Sequence, residues 1–487
     1  MLWIDRKEPA KLTLNVAQMI RRLIHSEFGN LKKSAMPEKI LFLFLFGCMV
    51  FPRCMFFTAN STPDSRRYLR VAENLVINQC YSDSDPKSGE CRPTWGSQPP
   101  GYPLFIAGIR LIWGEAINNI VIAQSVIFAL GACYALWVAF LWLNRSPWVL
   151  LPGVVIAMSP LTIAWASWIL TETLAAATAL WVFAEIFQSL RKGTLQLVPI
   201  SGALIAATLI RWDQVLLVPV LVCAVYIHGI SIAIEKLGKI AFLVMIPFVI
   251  MIARAHYAGL PLIPRNLDTQ MDPWLPRGVV DFYKLTSLNQ NANAHFLWPI
   301  WSRQYDVVPR RINYEAFAES VRDHNLHSLI EKIGAIPNGQ EFPDALDQKF
   351  SRLNRDYEQN NAPSIYLLNP VIRAIHMWTS RDEIYFSGWT GTQSARNIEF
   401  ISRYYKILLL LSAIGLVVFL CKQASPFALV LSTLLYVVAR TVFLVSIPIS
   451  AIENRYLTPF FPVLELVVIT MVIAQLKAQN IGLHGAK

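Results

Sequence analysis

The chain has 487 residues, 54% of them hydrophobic and only 15% charged, with mean hydropathy +0.42. Soluble domains carry about 25% charged residues, so these figures exclude soluble, disordered, collagen-like and coiled-coil classes and leave a polytopic membrane protein. The formal charge of +11 fits cytoplasmic loops rich in Lys and Arg, and no basic run resembles a nucleic-acid-binding arm.

Residues 1–39 are mixed and polar, with eight Lys and Arg against four acids. They are expected to stay in the cytoplasm as a tail, and they do not have the pattern of a signal peptide. About 20 apolar residues are needed to cross a bilayer. Runs of that kind fall at 40–59, 117–143, 148–166, 168–189, 196–212, 213–231, 240–257, 404–421, 425–447 and 456–476. They predict an all-α bundle of about ten transmembrane helices with both termini on one side. Arg145, Arg191, Lys192, Lys236, Lys239 and Lys422 then all fall on the N-terminal side, as the positive-inside rule requires.

The expected organisation is a membrane module over 40–257, including a first outer loop at 60–116. An extracytoplasmic domain follows at 258–403, then membrane helices within 404–476 and a cytoplasmic tail at 477–487. Helical patterns at 312–335, 341–359 and 363–379 make the outer domain mainly helical, the last of them amphipathic against the membrane. There is no internal repeat, which disfavours many secondary-transporter folds. Seven cysteines without a CxxC spacing argue against a zinc or thioredoxin-like site. Cys80 and Cys91, in the first outer loop, are candidates for a disulfide worth about 3 kcal/mol.

Candidate chemistry follows the first span. In Thr62-Pro63-Asp64-Ser65-Arg66-Arg67-Tyr68, Thr62 can cap a helix and Pro63 suits its first turn. Tyr68, Val71, Ala72, Leu75 and Val76 then form an apolar stripe, so the helix is expected along the membrane surface with Asp64 in its first turn. Gln98-Pro99-Pro100-Gly101-Tyr102-Pro103 forces a rigid turn into an apolar run too short to span. Ionisable residues gather near span ends on the outer face: Thr171-Glu172-Thr173, Arg211-Trp212-Asp213 and Glu453-Asn454-Arg455-Tyr456. Each could be an internal ion pair. Their convergence with Asp64 suits an anionic lipid headgroup and an acid/base reaction.

These motifs, in this order, resemble the GT-C glycosyltransferases. The likeness is to the branch of protein O-mannosyltransferases, lipid A aminoarabinose transferases and bacterial lipopolysaccharide sugar transferases. It covers roughly 40–260 and 400–475 and does not extend to the outer domain. It implies inverting transfer of a sugar from a polyprenyl-phosphate carrier to an envelope glycan, lipid or protein, at the outer face of a bacterial inner membrane. Asp64 matches the acidic residue proposed as base in that family; the mannosyl- and aminoarabinosyl-transferases commonly carry Glu at the next position, where this chain has Ser65.

A carboxylate in reach of the acceptor hydroxyl can take its proton, and arginine forks suit the departing phosphate. Arg211 and Arg455 are the candidates for the phosphate, with Arg66 and Arg67 behind them. Glu172, Asp213, Tyr68, Tyr102, Glu453 and Tyr456 are candidates for binding or orienting substrate. No cofactor or metal site is assigned: the family is divided on divalent cations, and His324 and His327 lack further ligands. Two competing readings remain: a transporter or flippase for lipid-linked glycans, and an envelope polysaccharide polymerase or ligase.

Overall fold

The computed structural model describes residues 36–55, 59–89, 91, 99–229, 234–259, 276–322, 324–379, 392–421, 423–446 and 454–485. Among these residues there is no strand; two isolated bridges, Asn60 with Trp168 and Ser287 with Phe317, are the extended pairings. A segment crossing hydrocarbon must satisfy its backbone internally, and a helix does so within one segment. Six helices are long and apolar enough to cross a membrane: Ile117–Trp142, Glu172–Lys192, Glu235–Tyr257, Phe400–Leu420, Ser425–Ser446 and Arg455–Ala478.

The first half runs α1 (Met36–Met55), α2 (Pro63–Ile77), α3 (Gly101–Trp113), α4 (Ile117–Trp142), α5 (Leu150–Met158), α6 (Pro160–Ala166), α7 (Glu172–Lys192), α8 (Leu197–Ile210), α9 (Leu217–Ile227) and α10 (Ile234–Tyr257). Helix α7 is the axis of the membrane core and is buried along nearly its whole length. Its alanines admit α4 closely. A Cβ at Gly131 would stand 2.9 Å from the Ala177 carbonyl oxygen, so glycine there permits the approach. The axis ends at Gly193, whose φ of 65° closes the helix in the left-handed region. Glu172 therefore opens the most buried of the six long apolar helices.

Four of the ten expected spans take a different form, and the first of them, 40–59, is the helix α1, which ends at Met55, carries Pro52 and Arg53 in its last turn and is not among the six. The run 148–166 is broken between α5 and α6, because Pro160 pushes Ser159 to an extended conformation (ψ 115°). The runs 196–212 and 213–231 do part near their expected boundary, at Arg211, whose extended backbone (φ −149°, ψ 131°) separates α8 from a tight turn at Trp212–Leu216 and then α9. These segments are shorter than the full-length spans expected of them.

Residues 276–365 build a second core around α11 (Arg277–Thr286), α12 (His324–Gly334) and α13 (Asp344–Pro363), while the next helix, α14 (Asn369–Thr379), lays Met377 into the membrane core. The helix expected over 312–335 forms only from His324. Asn313 takes the Glu315 N–H on its side chain, and two tight turns replace the first half. The chain returns to the membrane core through α15 (Thr392–Leu420), α16 (Ala424–Ser446) and α17 (Phe461–Gly485).

Arg373 of α14 pins the two cores together. It donates to the carbonyls of Lys284 and Ser287, both at 2.7 Å, and to that of Val445 at the end of α16, at 3.2 Å. Burial lowers its guanidinium to about 10, which leaves it charged at neutral pH.

Candidate active site

Helix α2 is placed by its own cap. The Ser65 N–H donates to Thr62 Oγ1 at 3.2 Å and the Thr62 N–H donates to Ser65 Oγ at 2.9 Å, a reciprocal capping box with Pro63 in the first turn. Ser65 is buried in that role. Ser65 thus has a local structural use beside Asp64. Two residues before the cap, Asn60 is bonded by its backbone to Ser167 (2.9 Å) and Ile169 (3.1 Å). The loop entering α2 is thereby tied to the loop entering α7, which brings Asp64 and Glu172 to one place.

Six charged side chains alternate in sign from there inward. Asp64 Oδ2 meets Arg455 Nη2 at 3.1 Å, and Arg455 Nε lies 3.9 Å from Glu172 Oε1. Arg211 Nη1 lies 3.3 Å from the same Glu172 oxygen and donates to Thr171 Oγ1 at 3.1 Å. Asp213 then receives Arg211 in a fork, both contacts at 3.2 Å, and Arg440 Nη2 lies 2.8 Å from its Oδ2, the oxygen that Arg211 Nη2 also reaches. The Asp64 side chain is 40% exposed, the next four are 12% exposed or less, and Arg440 is fully buried. Three carboxylates and three guanidiniums leave the cluster neutral as it stands.

Aromatic and amide groups frame the ions. The Tyr456 ring lies under both Arg211 (5.3 Å) and Arg455 (5.0 Å), and its hydroxyl accepts from Arg455 at 3.1 Å. Arg440 donates to the Tyr456 carbonyl at 2.9 Å and to the Tyr436 hydroxyl at 3.2 Å, which itself donates to Gln214 at 2.7 Å. Tyr68 packs edge-on to Tyr102 with centroids 4.9 Å apart, and Tyr102 donates to Gln124 at 3.1 Å. Gln124 in turn donates to the Ala166 and Trp168 carbonyls, both at 2.8 Å, holding the loop before α7. Burial, with Asp64 and Glu172 nearby, pushes the Tyr68 phenol well above its ordinary range and keeps it protonated.

Of the residues singled out in the sequence, Asp64, Glu172, Arg211, Asp213, Arg455 and Tyr456 come together, with Tyr68 and Tyr102 behind them. Arg66 and Arg67 do not join the cluster: Arg66 is exposed, and Arg67 stacks over the Trp301 ring at 5.2 Å. Glu453 lies outside the described residues. Cys80 and Cys91 form a disulfide in the loop after α2, where Arg254 of α10 donates to the Tyr81 carbonyl at 2.9 Å.

Arg440 is the principal residue missed. Its signal was a lone arginine within the apolar run of α16. Charges also reach deeper than the span ends, contrary to expectation. Glu185 accepts from Tyr134 at 2.7 Å, Glu465 accepts from Tyr405 at 3.1 Å, and Arg53 donates to Thr162 at 2.7 Å, all buried. Among the described residues no three His, Cys, Asp or Glu side chains gather as metal ligands. His327 bonds the Tyr314 hydroxyl at 2.7 Å.

No protein-family profile matches this sequence, and no curated protein does. Two solved structures are similar to it, both of ArnT from Cupriavidus metallidurans: one bound to undecaprenyl phosphate and one in the apo state. Each is 13% identical and aligns over 85% of this chain and 77% of that chain, with TM-scores of 0.37 and 0.35.

Proposed function

We propose that this protein is an integral membrane glycosyltransferase of the GT-C type. It transfers one sugar, with inversion, from a polyprenyl-phosphate carrier to an envelope glycan, lipid or protein at the outer face of a bacterial inner membrane. The observation that carries the reading is the ordered run Asp64, Arg455, Glu172, Arg211, Asp213, with the half-exposed carboxylate at the open end. An inverting displacement needs a base on one side of the sugar carbon and cations on the other. This sequence of charges supplies that order.

In the proposed reaction the acceptor O–H gives its proton to Asp64 as its oxygen bonds to C1 of the sugar. The bond from C1 to the phosphate oxygen breaks, and its electron pair leaves with the polyprenyl phosphate. Arg455 and Arg211 hold that phosphate, where guanidinium forks are well matched to the growing charge. Because the cluster is neutral without substrate, a bound phosphate competes with Asp64 for Arg455. Donor binding therefore releases the base from its ion pair as it brings the sugar to it. Arg440, held by Asp213, keeps a cation behind Arg211 when Arg211 turns toward the phosphate.

A second reading, movement of an intact lipid-linked glycan, draws on the buried Glu185 and Glu465. Each is held by a tyrosine of a neighbouring helix, an arrangement that also knits helices together. The two readings separate in a donor-turnover assay. Purified protein is offered radiolabelled polyprenyl-phosphate monosaccharides with an envelope acceptor fraction, and the label leaving the carrier is followed. Transfer by the parent and its loss in Asp64→Asn supports the transferase. Vectorial movement of uncleaved donor in liposomes, with no transfer, supports the transporter.

A further inference from the structure

Arg66, Arg67 and Arg70, which the ion cluster leaves aside, form a patch of their own. At positions i, i+1 and i+4 of α2 they leave one side of the helix, opposite the buried Tyr68 and Ala72. Both acids of α2 are engaged elsewhere, Asp64 by Arg455 and Glu73 by Arg110 at 3.5 Å. Among the described residues Arg66 and Arg70 are exposed and have no carboxylate partner. Arg67 stacks on Trp301, and Trp298 stands next to Trp301 with centroids 5.7 Å apart and a ring 40% exposed. A guanidinium and two neighbouring indoles from two different parts of the chain thus meet one helical turn from Asp64.

We propose that Arg66, Arg67, Arg70, Trp298 and Trp301 form the acceptor subsite, and that the acceptor is a saccharide carrying carboxylate or phosphate groups. The inference rests on the transferase reading and adds the acceptor's chemistry to it. Arg67 follows Asp64 by three residues, a rise of about 4.5 Å along the helix. An acceptor with its hydroxyl at Asp64 therefore lays its next sugar unit over Arg67 and the tryptophans. Indole faces suit the flat apolar faces of sugar rings, and guanidinium forks suit carboxylates and phosphates. The donor's phosphate is served separately by Arg211 and Arg455, deeper in the molecule.

The test uses the full-length protein in phosphatidylcholine nanodiscs, with two fluorescent probes of equal length, a galacturonate tetramer and maltotetraose. The parent should bind the acidic probe at least about tenfold more tightly than the neutral one, and salt should narrow the gap. Arg66→Gln with Arg70→Gln should remove most of that gap, and Trp298→Ala should weaken both probes. Polyprenyl phosphate affinity should not change in either variant. Equal affinity for the two probes, no binding of either, or indifference to the arginine changes would overturn the inference. So would arginine variants whose only effect is weaker association with phosphatidylglycerol, since the patch would then serve lipid headgroups. If the parent ignores polyprenyl phosphate while the saccharide results hold, the transferase reading fails and the acidic-saccharide site stands.

Discussion

Four phenylalanines, Phe282, Phe296, Phe317 and Phe350, meet ring to ring in the 276–365 unit, with centroids 5.3 to 6.2 Å apart. Six charged side chains meet instead between α2, α7, the turn after α8, α16 and the turn before α17. The aromatic core gains its stability from area removed from water, and each ring acts largely on its own account. The ion cluster is different in kind. Well-packed apolar residues could replace a buried ion pair with little loss of stability, while removing one partner strands a charge. Such a cluster is poorly explained by stability and well explained by a ligand that exchanges with its members.

The comparison can be broken at several points. The largest effect on stability is expected from Arg440→Leu, which leaves Asp213 to Arg211 alone and the buried cluster with one carboxylate in excess, and should cost about 3–5 kcal/mol, read as a fall in the thermal midpoint in detergent. Adding Asp213→Leu should restore much of that loss without restoring transfer. If the double variant regains activity, the cluster is only structural. Phe317→Ala should cost about the same, 3–5 kcal/mol, through its cavity. Yet it should leave polyprenyl phosphate binding intact, because that core lies apart from the ions. A parallel loss of binding would mean the two regions are one cooperative unit.

Smaller effects sharpen the picture around α2. Opening the Cys80–Cys91 bond by replacing both with Ser should cost about 3 kcal/mol relative to the oxidised parent, and the reduced parent should match the variant. Thr62→Ala removes one half of the capping box and should cost about 1 kcal/mol. If its turnover falls by much more than its stability, the cap sets the aim of Asp64 as well as the helix.

Much of this was legible in the sequence, and the gaps have physical causes. Composition and apolar runs identified an all-helical membrane protein, and Thr62-Pro63-Asp64 announced the start of α2. Arg211 and Asp213, two residues apart, announced their own pairing. Arg440 stayed hidden because an apolar window averages over one charge, and its partner Asp213 lies far away in sequence. The Asn60 link to Ser167 and Ile169 is made by backbone groups, which leave no mark in residue type. The break at Ser159 was marked by Pro160 but overridden by the length of the apolar run. Residue type alone sets Arg66 and Arg67 behind Arg211 and Arg455 as phosphate candidates; on the helix they stand on the side away from the buried Tyr68 and Ala72, with Arg67 over Trp301.

The central claim is that Asp64 is a base held in reserve by Arg455 until a phosphate takes that arginine. The most direct test measures turnover and polyprenyl phosphate affinity together in the parent and in Asp64→Asn, at matched folding. The account predicts turnover lower by about 10²–10⁴-fold, with phosphate affinity unchanged or tighter, because a competitor for Arg455 has gone. Undiminished turnover, or turnover and phosphate affinity falling together, would contradict it.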